Sequence, residues 1–349
     1  MNLDKLIIKL NKDFGEGAVM KGADATWFQV EKIPTGSFAL DIELRGGIPR
    51  SRITEIYGHL SSGKSSLTMM IAKKAQKLGG KIGYVDMEGC YDSKYAAIIG
   101  IDPENIIISQ PDYGEKAIDI LDSMVRSGEF SLVVLDSIAA TTPMVEIEES
   151  MVKQQMGIQA RLINKAVRKL QSALNTKIEG KQNKTAVILI NQIRQKLGIL
   201  YGNPETTPGG MGVGFGASLR LNLRRGDWIM IGKGEKEQTI GQEVKFRVEK
   251  SKVSPAHVNN QFRYYFKDVP ELGIKAGTVD TLDEIVRYGS IYGAIEQGGG
   301  WFQLNGEKFH GIDGVKSYLQ ANKEARQKVK QFILDVSCKG YAVEKVKEG

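Results

Sequence analysis

The sequence predicts an α/β protein built on a mainly parallel central sheet, and three observations support this fold class. Residues 58–65 match the pattern G-x-x-x-x-G-K-[ST] and lie between an apolar strand and a helix. Strand and helix patterns alternate from about residue 30 to 250, as in sheets whose strands are joined by helices. Residues 132–136 and 186–191 are apolar runs of strand length, which is typical of strands buried on both faces.

The segment 58–65 predicts a phosphate-binding loop. Its glycines allow backbone N–H groups to wrap around a triphosphate, and the helix that follows directs its N-terminus at the same anion. Lys64 is predicted to reach the β- and γ-phosphate oxygens, and Ser65 to ligate Mg²⁺. The pattern also arises by chance, but the flanking strand and helix favour a nucleotide site. The loop consists of Gly58, His59, Leu60, Ser61, Ser62, Gly63, Lys64 and Ser65, and Ser66 follows it.

Hydrophobic periodicity predicts the other elements in order. An amphipathic helix opens the chain, and Gly79 and Gly80 end the helix after the loop. Further strands are predicted at 53–57, 82–86 and 106–109, and helices at 64–78, around 118–125 and at about 156–174. Residues 217–223 and 243–248 alternate strictly, so we expect half-buried antiparallel strands. The pattern of residues 280–335 predicts short helices and a turn. We therefore expect three parts: an N-terminal segment at 1–30, a core domain at 31–272 and a small α/β domain at 273–349.

Polar side chains follow three of the predicted strands. Asp136, Glu88 and Gln192 lie where parallel strands end, which is where ligand sites of open α/β sheets are found. Asp136 suits a partner of Mg²⁺, Glu88 suits the base that deprotonates an attacking water, and Gln192 suits contact with a γ-phosphate. The plainer interpretations are a helix cap for Asp136, a solvated residue for Glu88 and a hydrogen-bonded loop residue for Gln192. The phosphate loop favours the metal role for Asp136 and leaves the other two open.

Two polar segments interrupt the regular pattern. Residues 195–216 contain seven glycines and two prolines, so we expect a long irregular loop that moves or orders with bound nucleotide. Residues 146–156 form a second irregular segment. Basic residues lie on the helix after it and at the end of a later strand, where charged groups are more often solvated than functional. They are Arg161, Lys165, Arg168, Lys169, Lys250 and Lys252.

Composition limits the classes of protein. The chain has 349 residues, 41% hydrophobic and 26% charged, which is ordinary for a globular protein. It has no apolar run of membrane-spanning length, its N-terminus lacks a signal-peptide core, and its two cysteines are expected to be free thiols; we therefore expect a cytoplasmic protein without a membrane partner. Its three histidines are too scattered for a metal site. A net charge of +7 is compatible with a nucleic-acid partner.

Taken in order, these motifs resemble the bacterial RecA recombinase family. The most specific match is Gly-Asn-Pro-Glu-Thr-Thr at 202–207, after a strand that ends in Asn-Gln-Ile-Arg. The similarity covers about residues 1–335 and is weaker in the C-terminal part. The other matching segments are 14–20, 34–41, 55–58, 109–112, 136–140 and 190–194.

The resemblance implies a RecA-like core that binds ATP and Mg²⁺. The loop 58–65 and Ser66 would bind the phosphates, with Ser65 and Asp136 at the metal. Asp92 and Tyr95 match positions that hold the adenine.

The resemblance also implies a catalytic site shared between subunits. Glu88 would be the base for hydrolysis, Lys64 would contact the phosphates, and Gln192 would sense the γ-phosphate. Lys250 and Lys252 would reach the ATP of a neighbouring subunit, and the N-terminal polymerisation helix would pack on the adjacent protomer of a helical filament.

DNA would bind two loops that line the filament axis, 148–156 and 195–210. The matching residues in or beside these loops are Met156, Arg161, Arg168, Arg194, Lys196, Leu197, Gly198, Ile199, Tyr201, Gly202, Asn203, Thr206, Gly209 and Gly210.

The chain departs from the family pattern at three places. His59-Leu60 stands where the family has Pro-Glu, and Ser65 replaces Thr but keeps the hydroxyl that Mg²⁺ needs. Glycines at 212, 214 and 216 replace larger residues, including a lysine and an aromatic residue. Residues 324–349 hold six basic and four acidic groups where bacterial members commonly have an acidic tail. These departures indicate a diverged member, of bacterial or phage origin.

The expected function is that of an ATP-dependent DNA recombinase acting in recombination, repair and the DNA-damage (SOS) response. It would form a filament on single-stranded DNA and pair it with homologous double-stranded DNA. One alternative is a hexameric helicase or ring motor with the same core. Another is a DNA-coating protein that uses ATP only as a switch; the presence of Lys64, Glu88 and Gln192 argues against it.

Overall fold

The computed structural model describes residues 2–15, 18–22, 30–148, 157–195, 204–232, 234 and 237–339. These form two compact units, Met1–Glu31 and Lys32–Gly349. The first unit contains α1 (Leu3–Phe14), which Asn2 caps and whose Leu3, Ile8 and Phe14 side chains are exposed.

The second unit begins with the elements that build the phosphate loop and half of the sheet. In chain order they are β1 (Lys32–Ile33), α2 (Phe38–Glu43), β2 (Ile48–Pro49), β3 (Ile53–Gly58), α3 (Lys64–Lys77), β4 (Lys81–Asp86), α4 (Ser93–Ile99), β5 (Ile106–Ser109), α5 (Gly114–Ser127), β6 (Phe130–Asp136) and α6 (Met144–Glu148). The next elements are α7 (Ile158–Asn175), β7 (Lys177–Ile178), β8 (Lys181–Gln182), β9 (Ala186–Gln192), β10 (Arg194–Gln195), β11 (Glu205–Thr206), α8 (Met211–Gly216), β12 (Leu219–Ile231), β13 (Gln238–Ser251) and β14 (Asn259–Tyr265). The last are β15 (Thr278–Val279), α9 (Thr281–Tyr292), β16 (Glu296–Gly298), β17 (Trp301–Leu304), β18 (Glu307–His310), α10 (Gly311–Ala321) and α11 (Lys323–Lys339).

Nine of the strands within the described ranges form one sheet, which confirms the predicted fold class. Their spatial order is β15-β14-β13-β12-β3-β9-β6-β4-β5. The strands from β12 to β5 are parallel, and β13, β14 and β15 extend the other edge with antiparallel pairing. Alternate side chains of β9 enter different cores: Ile188 and Ile190 pack with α3, whereas Val187 and Leu189 pack with α5 and α7. The apolar runs of the sequence are therefore strands covered by helices on both faces.

Strand register brings the predicted site residues to one edge of the sheet. Gly58 lies beside Gln192 on neighbouring strands, and Asp86 lies beside Asp136. Because all four residues end parallel strands, the phosphate loop after Gly58 opens onto the same edge.

The C-terminal helices pack against both a small sheet and α2. The strands β16, β17 and β18 form an antiparallel sheet, and their buried side chains share a core with α9, α10 and α11. Phe38 and Ile42 of α2 belong to that core. Glu284 of α9 strengthens this contact, since it accepts hydrogen bonds from Ser37 Oγ (2.6 Å) and Phe38 N (2.7 Å). The domain boundary at 273 remains a prediction.

The expectation that residues 195–216 contain no regular structure is wrong for their described part. Residues 211–216 form α8, and β10 pairs with β11 on either side of 196–203. Tertiary packing overrides the low helix propensity of glycine here. A Cβ on Gly212 would lie 1.6 Å from Asn164 Oδ1, and one on Gly216 would lie 2.2 Å from Val167 Cγ1, so the missing side chains allow α8 to lie close against α7.

The antiparallel prediction for residues 217–223 and 243–248 is correct for both pairings of β13 and for one of the two pairings of β12. β12 is antiparallel to β13, but its other edge pairs in parallel with β3. Strict alternation of apolar and polar residues indicates that one face of a strand is more buried than the other. It does not indicate whether the neighbouring strand is parallel or antiparallel.

Candidate functional site

Glycines fix the path of the phosphate loop at both of its ends. A Cβ on Gly58 would lie 2.1 Å from Leu223 O, so only glycine fits at the end of β3. Gly63, which precedes α3, has a φ of +89°, a left-handed conformation that glycine adopts without strain. The loop therefore turns directly into the N-terminus of α3, where unpaired backbone N–H groups can face an anion.

Lys64 and Ser62 lie within this loop. Lys64 Nζ donates to the carbonyl oxygens of His59 (2.8 Å) and Gly58 (3.2 Å). Burial lowers the pKa of Lys64, while the carboxylates of Asp136 and Glu88 oppose that shift. The Ser62 hydroxyl is buried and forms no hydrogen bond with the part of the chain that the structure describes. An ammonium held by carbonyls and a hydroxyl without a partner are groups that a phosphate would satisfy.

Ser65 and Asp136 are adjacent, as the sequence predicts. Ser65 Oγ donates to Asp136 Oδ2 (3.2 Å), and the buried Tyr84 hydroxyl donates to the same oxygen (2.6 Å). Burial raises the pKa of Asp136, and the hydrogen bond from Tyr84 opposes this. A hydroxyl and a carboxylate beside a phosphate loop are the oxygen ligands that Mg²⁺ prefers, so these residues fit the metal.

Glu88 and Gln192 come together although they lie far apart in the chain. Gln192 Nε2 donates to Glu88 Oε1 (2.8 Å), and Ser137 Oγ donates to the same oxygen. Buried Asp86 holds the turn that carries Glu88, since its carboxylate accepts from the backbone N–H groups of Glu88 (3.1 Å), Gly89 (2.9 Å) and Tyr91 (2.9 Å). The exposed carboxylate is thus fixed at the mouth of the phosphate loop.

The predicted adenine residues are also near the loop. Asp92 caps α4 by accepting from the backbone N–H of Lys94 (2.8 Å). Tyr95 OH hydrogen-bonds with Ser66 Oγ (3.0 Å) and with Tyr264 OH (2.6 Å). The hydrogen bond with Ser66 therefore places Tyr95, and with it α4, next to the phosphate loop.

Comparisons with known proteins agree with this geometry. A family model described as the RecA N-terminal domain matches residues 1–269. RecA proteins of Francisella tularensis subsp. novicida (strain U112) and subsp. holarctica (strain LVS) are each 40% identical to this chain over 337 residues, which cover 96% of the chain and 89% of the relative.

The chain belongs to the RecA family.

A buried network in this RecA-family protein joins the strand of the phosphate loop to the second predicted DNA loop. Asn191 Nδ2 donates to Glu55 Oε1 (2.9 Å) and to Pro208 O (3.0 Å), while Asn191 Oδ1 accepts from the backbone N–H of Gln192 (2.9 Å). Glu55 is fully buried, and its other carboxylate oxygen pairs with Arg220 Nε (2.5 Å). Asn191 therefore contacts both the residue beside Glu88 and the segment that leads into α8.

A second, more exposed contact runs from the phosphate loop to β11. His59 Nε2 lies 3.0 Å from Glu205 Oε1, and Arg224 Nη2 lies 2.5 Å from Glu205 Oε2. Glu205 is therefore held from two sides where the chain leaves residues 196–203. Sequence reasoning missed Glu55, Asn191 and Glu205, although a carboxylate inside the apolar run 53–57 was a visible signal.

The predicted DNA-binding residues fall in three places. Arg161 and Arg168 are exposed on α7, and Arg194 pairs with Thr206 across β10 and β11. Gly209 and Gly210 have positive φ angles of 91° and 69°. Met156, Lys196, Leu197, Gly198, Ile199, Tyr201, Gly202 and Asn203 lie outside the described residues.

A basic cleft lies beside Thr206, Gly210 and Lys250. Its volume is about 1250 Å³, and its lining includes six basic side chains and two acidic ones. Lys250 Nζ donates to the carbonyl oxygens of Gly214 (2.8 Å) and Phe215 (2.9 Å) at the C-terminal end of α8. The basic side chains are Arg220, Arg224, Lys245, Arg247, Lys250 and Arg287.

Within the described ranges there is no group of three or more His, Cys, Asp or Glu side chains arranged to hold a metal ion. None of the described helices is both long and apolar enough to cross a membrane.

Proposed function

We propose that this protein is an ATP-dependent DNA recombinase that forms a helical filament on single-stranded DNA and pairs it with homologous double-stranded DNA. One observation carries the proposal: Gln192 contacts Glu88 at the phosphate loop and directly precedes the segment 193–210. A nucleotide that displaces the Gln192 side chain would therefore move the start of a DNA-binding loop.

ATP and Mg²⁺ would bind at the C-terminal ends of the parallel strands. The loop 58–65 would hold the phosphates, with Lys64 on the β- and γ-oxygens, and Ser65 and Asp136 would hold Mg²⁺, which neutralises charge on the phosphates when bound. Asp92 and Tyr95 would hold the adenine, and Ser66, which would bind the phosphates, hydrogen-bonds with Tyr95.

Glu88 would accept a proton from the attacking water. Its carboxylate is exposed, and Gln192 and Ser137 both donate hydrogen bonds to Oε1. The other oxygen, Oε2, is left to accept the proton, and the turn that Asp86 fixes sets the position of the whole side chain. A positioned general base contributes about 10²- to 10⁴-fold to such a reaction.

The ATP site would be completed by a neighbouring subunit. Lys250 and Lys252 would contact the neighbour's ATP, and α1 would pack on an adjacent protomer through its exposed Leu3, Ile8 and Phe14. Lys250 also binds the carbonyl end of α8, so contact with the neighbour's phosphates would compete with its hold on α8.

DNA would bind mainly through phosphate contacts. The basic cleft supports a polyanionic partner. The primary contacts would come from Met156, Arg161, Arg168, Arg194, Lys196, Leu197, Gly198, Ile199, Tyr201, Gly202, Asn203, Thr206, Gly209 and Gly210. Binding should then weaken steeply with salt and depend little on sequence. Base pairing between the DNA strands would test homology.

Joint-molecule formation tests the proposed function. Circular single-stranded DNA and a homologous linear duplex should form joint molecules with ATP and Mg²⁺, and a heterologous duplex should not. Tight DNA binding without joint molecules contradicts the recombinase function, and closed rings on DNA in electron micrographs would favour a ring motor.

Replacement of Glu88 tests the catalytic assignment. Glu88→Gln should lower DNA-stimulated ATP hydrolysis at least 100-fold while ATP still promotes DNA binding. Glu129→Gln, which changes an exposed ion pair with Lys81, is the matched control and should leave hydrolysis unchanged. Normal hydrolysis by Glu88→Gln refutes the assignment.

A further inference from the structure

Tyr84 is buried beside the proposed metal site, although neither its position in the sequence nor its residue type suggested a role. It lies within β4 and is only 2% exposed. In the register of β4 and β6, Tyr84 lies beside Val134 and Asp86 beside Asp136, so Tyr84 and Asp136 project toward the same face of the sheet. α3 covers that face, and Ser65 lies in its first turn.

The Tyr84 hydroxyl ends on the carboxylate of Asp136. The distance from Tyr84 OH to Asp136 Oδ2 is 2.6 Å, shorter than the 3.2 Å from Ser65 Oγ to the same oxygen. Tyr91 packs against the Tyr84 ring at a centroid distance of 5.6 Å, which fixes the ring and leaves the hydroxyl little freedom to turn away. Within the described part of the chain, Asp136 is the hydrogen-bond partner of this hydroxyl.

Two hydroxyl donors on one oxygen fix the orientation of the carboxylate. A carboxylate with a single donor can rotate about its Cβ–Cγ bond, whereas Oδ2 is held by Tyr84 from the sheet side and by Ser65 from the helix side. Because Ser65 directs its hydrogen at Asp136, its oxygen lone pairs point away from the carboxylate and are available to a cation. Hydrogen bonds behind a metal-binding group commonly set its orientation and affinity in this way.

We propose that Tyr84 is a positioning residue for the Mg²⁺ site and acts through Asp136. This inference rests on the proposed Mg²⁺–ATP site. The plainer alternative is that the hydroxyl only satisfies a buried polar group of the core, in which case its removal would change stability and leave the metal requirement unchanged.

The test compares the Mg²⁺ requirement of two isosteric variants. Tyr84→Phe removes one buried oxygen and keeps the ring, and Tyr91→Phe makes the same change in the adjacent ring. The probe is a fluorescent ADP analogue at fixed concentration, titrated with Mg²⁺ on the full chain without DNA, so no hydrolysis is involved. The Mg²⁺ concentration at half-maximal signal should rise at least tenfold for Tyr84→Phe and less than twofold for Tyr91→Phe. Circular dichroism should show Tyr84→Phe to be as fully folded as the unmodified protein, because a partly unfolded population would raise the midpoint without any change at the metal site.

A second variant tests whether Tyr84 acts through Asp136. In an Asp136→Asn background, Tyr84→Phe should shift the Mg²⁺ midpoint by less than twofold further, since groups that act through one shared partner are not additive. An equal tenfold shift in both backgrounds would overturn the proposal, as would an unchanged midpoint in Tyr84→Phe alone. An equally large loss of affinity for the analogue in EDTA would indicate general damage to the site and would also overturn it. If the unmodified protein itself shows no Mg²⁺-dependent nucleotide binding, the proposed function fails first.

Discussion

We predict that replacing glycine by alanine at two nearby positions of α8, Gly214 and Gly216, has opposite effects on stability. A Cβ at Gly216 would lie 2.2 Å from Val167 Cγ1, whereas a Cβ at Gly214 would lie 3.5 Å from the nearest atom, Arg220 Nη1. Ordinary contact begins near 3.4 Å, so Gly216→Ala must separate α8 from α7 by about 1.2 Å. Val167 is buried and β-branched, and it cannot turn away as the end of a long side chain could.

The expected magnitudes follow from overpacking and helix propensity. Forcing an extra methyl group into a packed contact costs about 1–3 kcal/mol. Replacing glycine by alanine inside a helix returns roughly 0.5–1 kcal/mol. Gly216→Ala should therefore destabilise the protein by about 1–2 kcal/mol, and Gly214→Ala should stabilise it by about 0.5 kcal/mol.

Urea denaturation followed by circular dichroism would measure the global effect. Hydrogen exchange of peptides that cover 205–220 would measure local opening, since α8 can unfold below the global free energy. We expect faster exchange there for Gly216→Ala and slower exchange for Gly214→Ala. The packing explanation is refuted if Gly216→Ala is at least as stable as Gly214→Ala by both measurements.

Three further predictions concern the buried carboxylates and Asn191. Burial raises the pKa of Glu284 to about 8, so the native protein keeps a proton that the unfolded chain releases near its ordinary pKa. The free energy of unfolding should thus fall by about 2 kcal/mol from pH 6 to pH 8. Thermal denaturation at several pH values should show that Glu284→Gln lacks this pH-dependent fall. The prediction is contradicted if the variant and the unmodified protein lose stability equally over this range. Asp86→Ala should lower DNA-stimulated ATP turnover about 100-fold by releasing the turn of Glu88, with nucleotide affinity measured in parallel; a normal turnover number would show that the turn holds itself. Asn191→Ala should cost about 1–3 kcal/mol, because it removes a donor from buried Glu55, and should reduce the ATP-induced gain in DNA affinity; a loss of stability alone would limit Asn191 to a structural role.

Under the proposed function, two sets of contacts would link a bound nucleotide to the predicted DNA-binding loop. One runs from Glu88 through Gln192 along the backbone, and the other from β3 through Glu55 and Asn191 to Pro208. Both converge on the segment that enters α8. Coupling between two sites needs an element that both can bias, and under the proposed function this segment would be that element.

Local sequence determined the phosphate loop, its strand and helix, and the order of most other elements. These depend on short-range rules: residue spacing sets which face is apolar, and glycine sets where a backbone can turn tightly. The same rules led to the correct expectation that Asp136, Glu88 and Gln192 lie at strand ends.

Tertiary structure alone decided which of these residues meet. Glu88 and Gln192 are 104 residues apart, and Tyr84 and Asp136 are 52 apart, so their contacts depend on the strand order β3-β9-β6-β4. No local pattern encodes that order, because it results from how crossover helices pack on the two faces of the sheet. For the same reason α8 was not foreseen: its glycines lower helix propensity locally, but they allow the close contact with α7 that stabilises the helix.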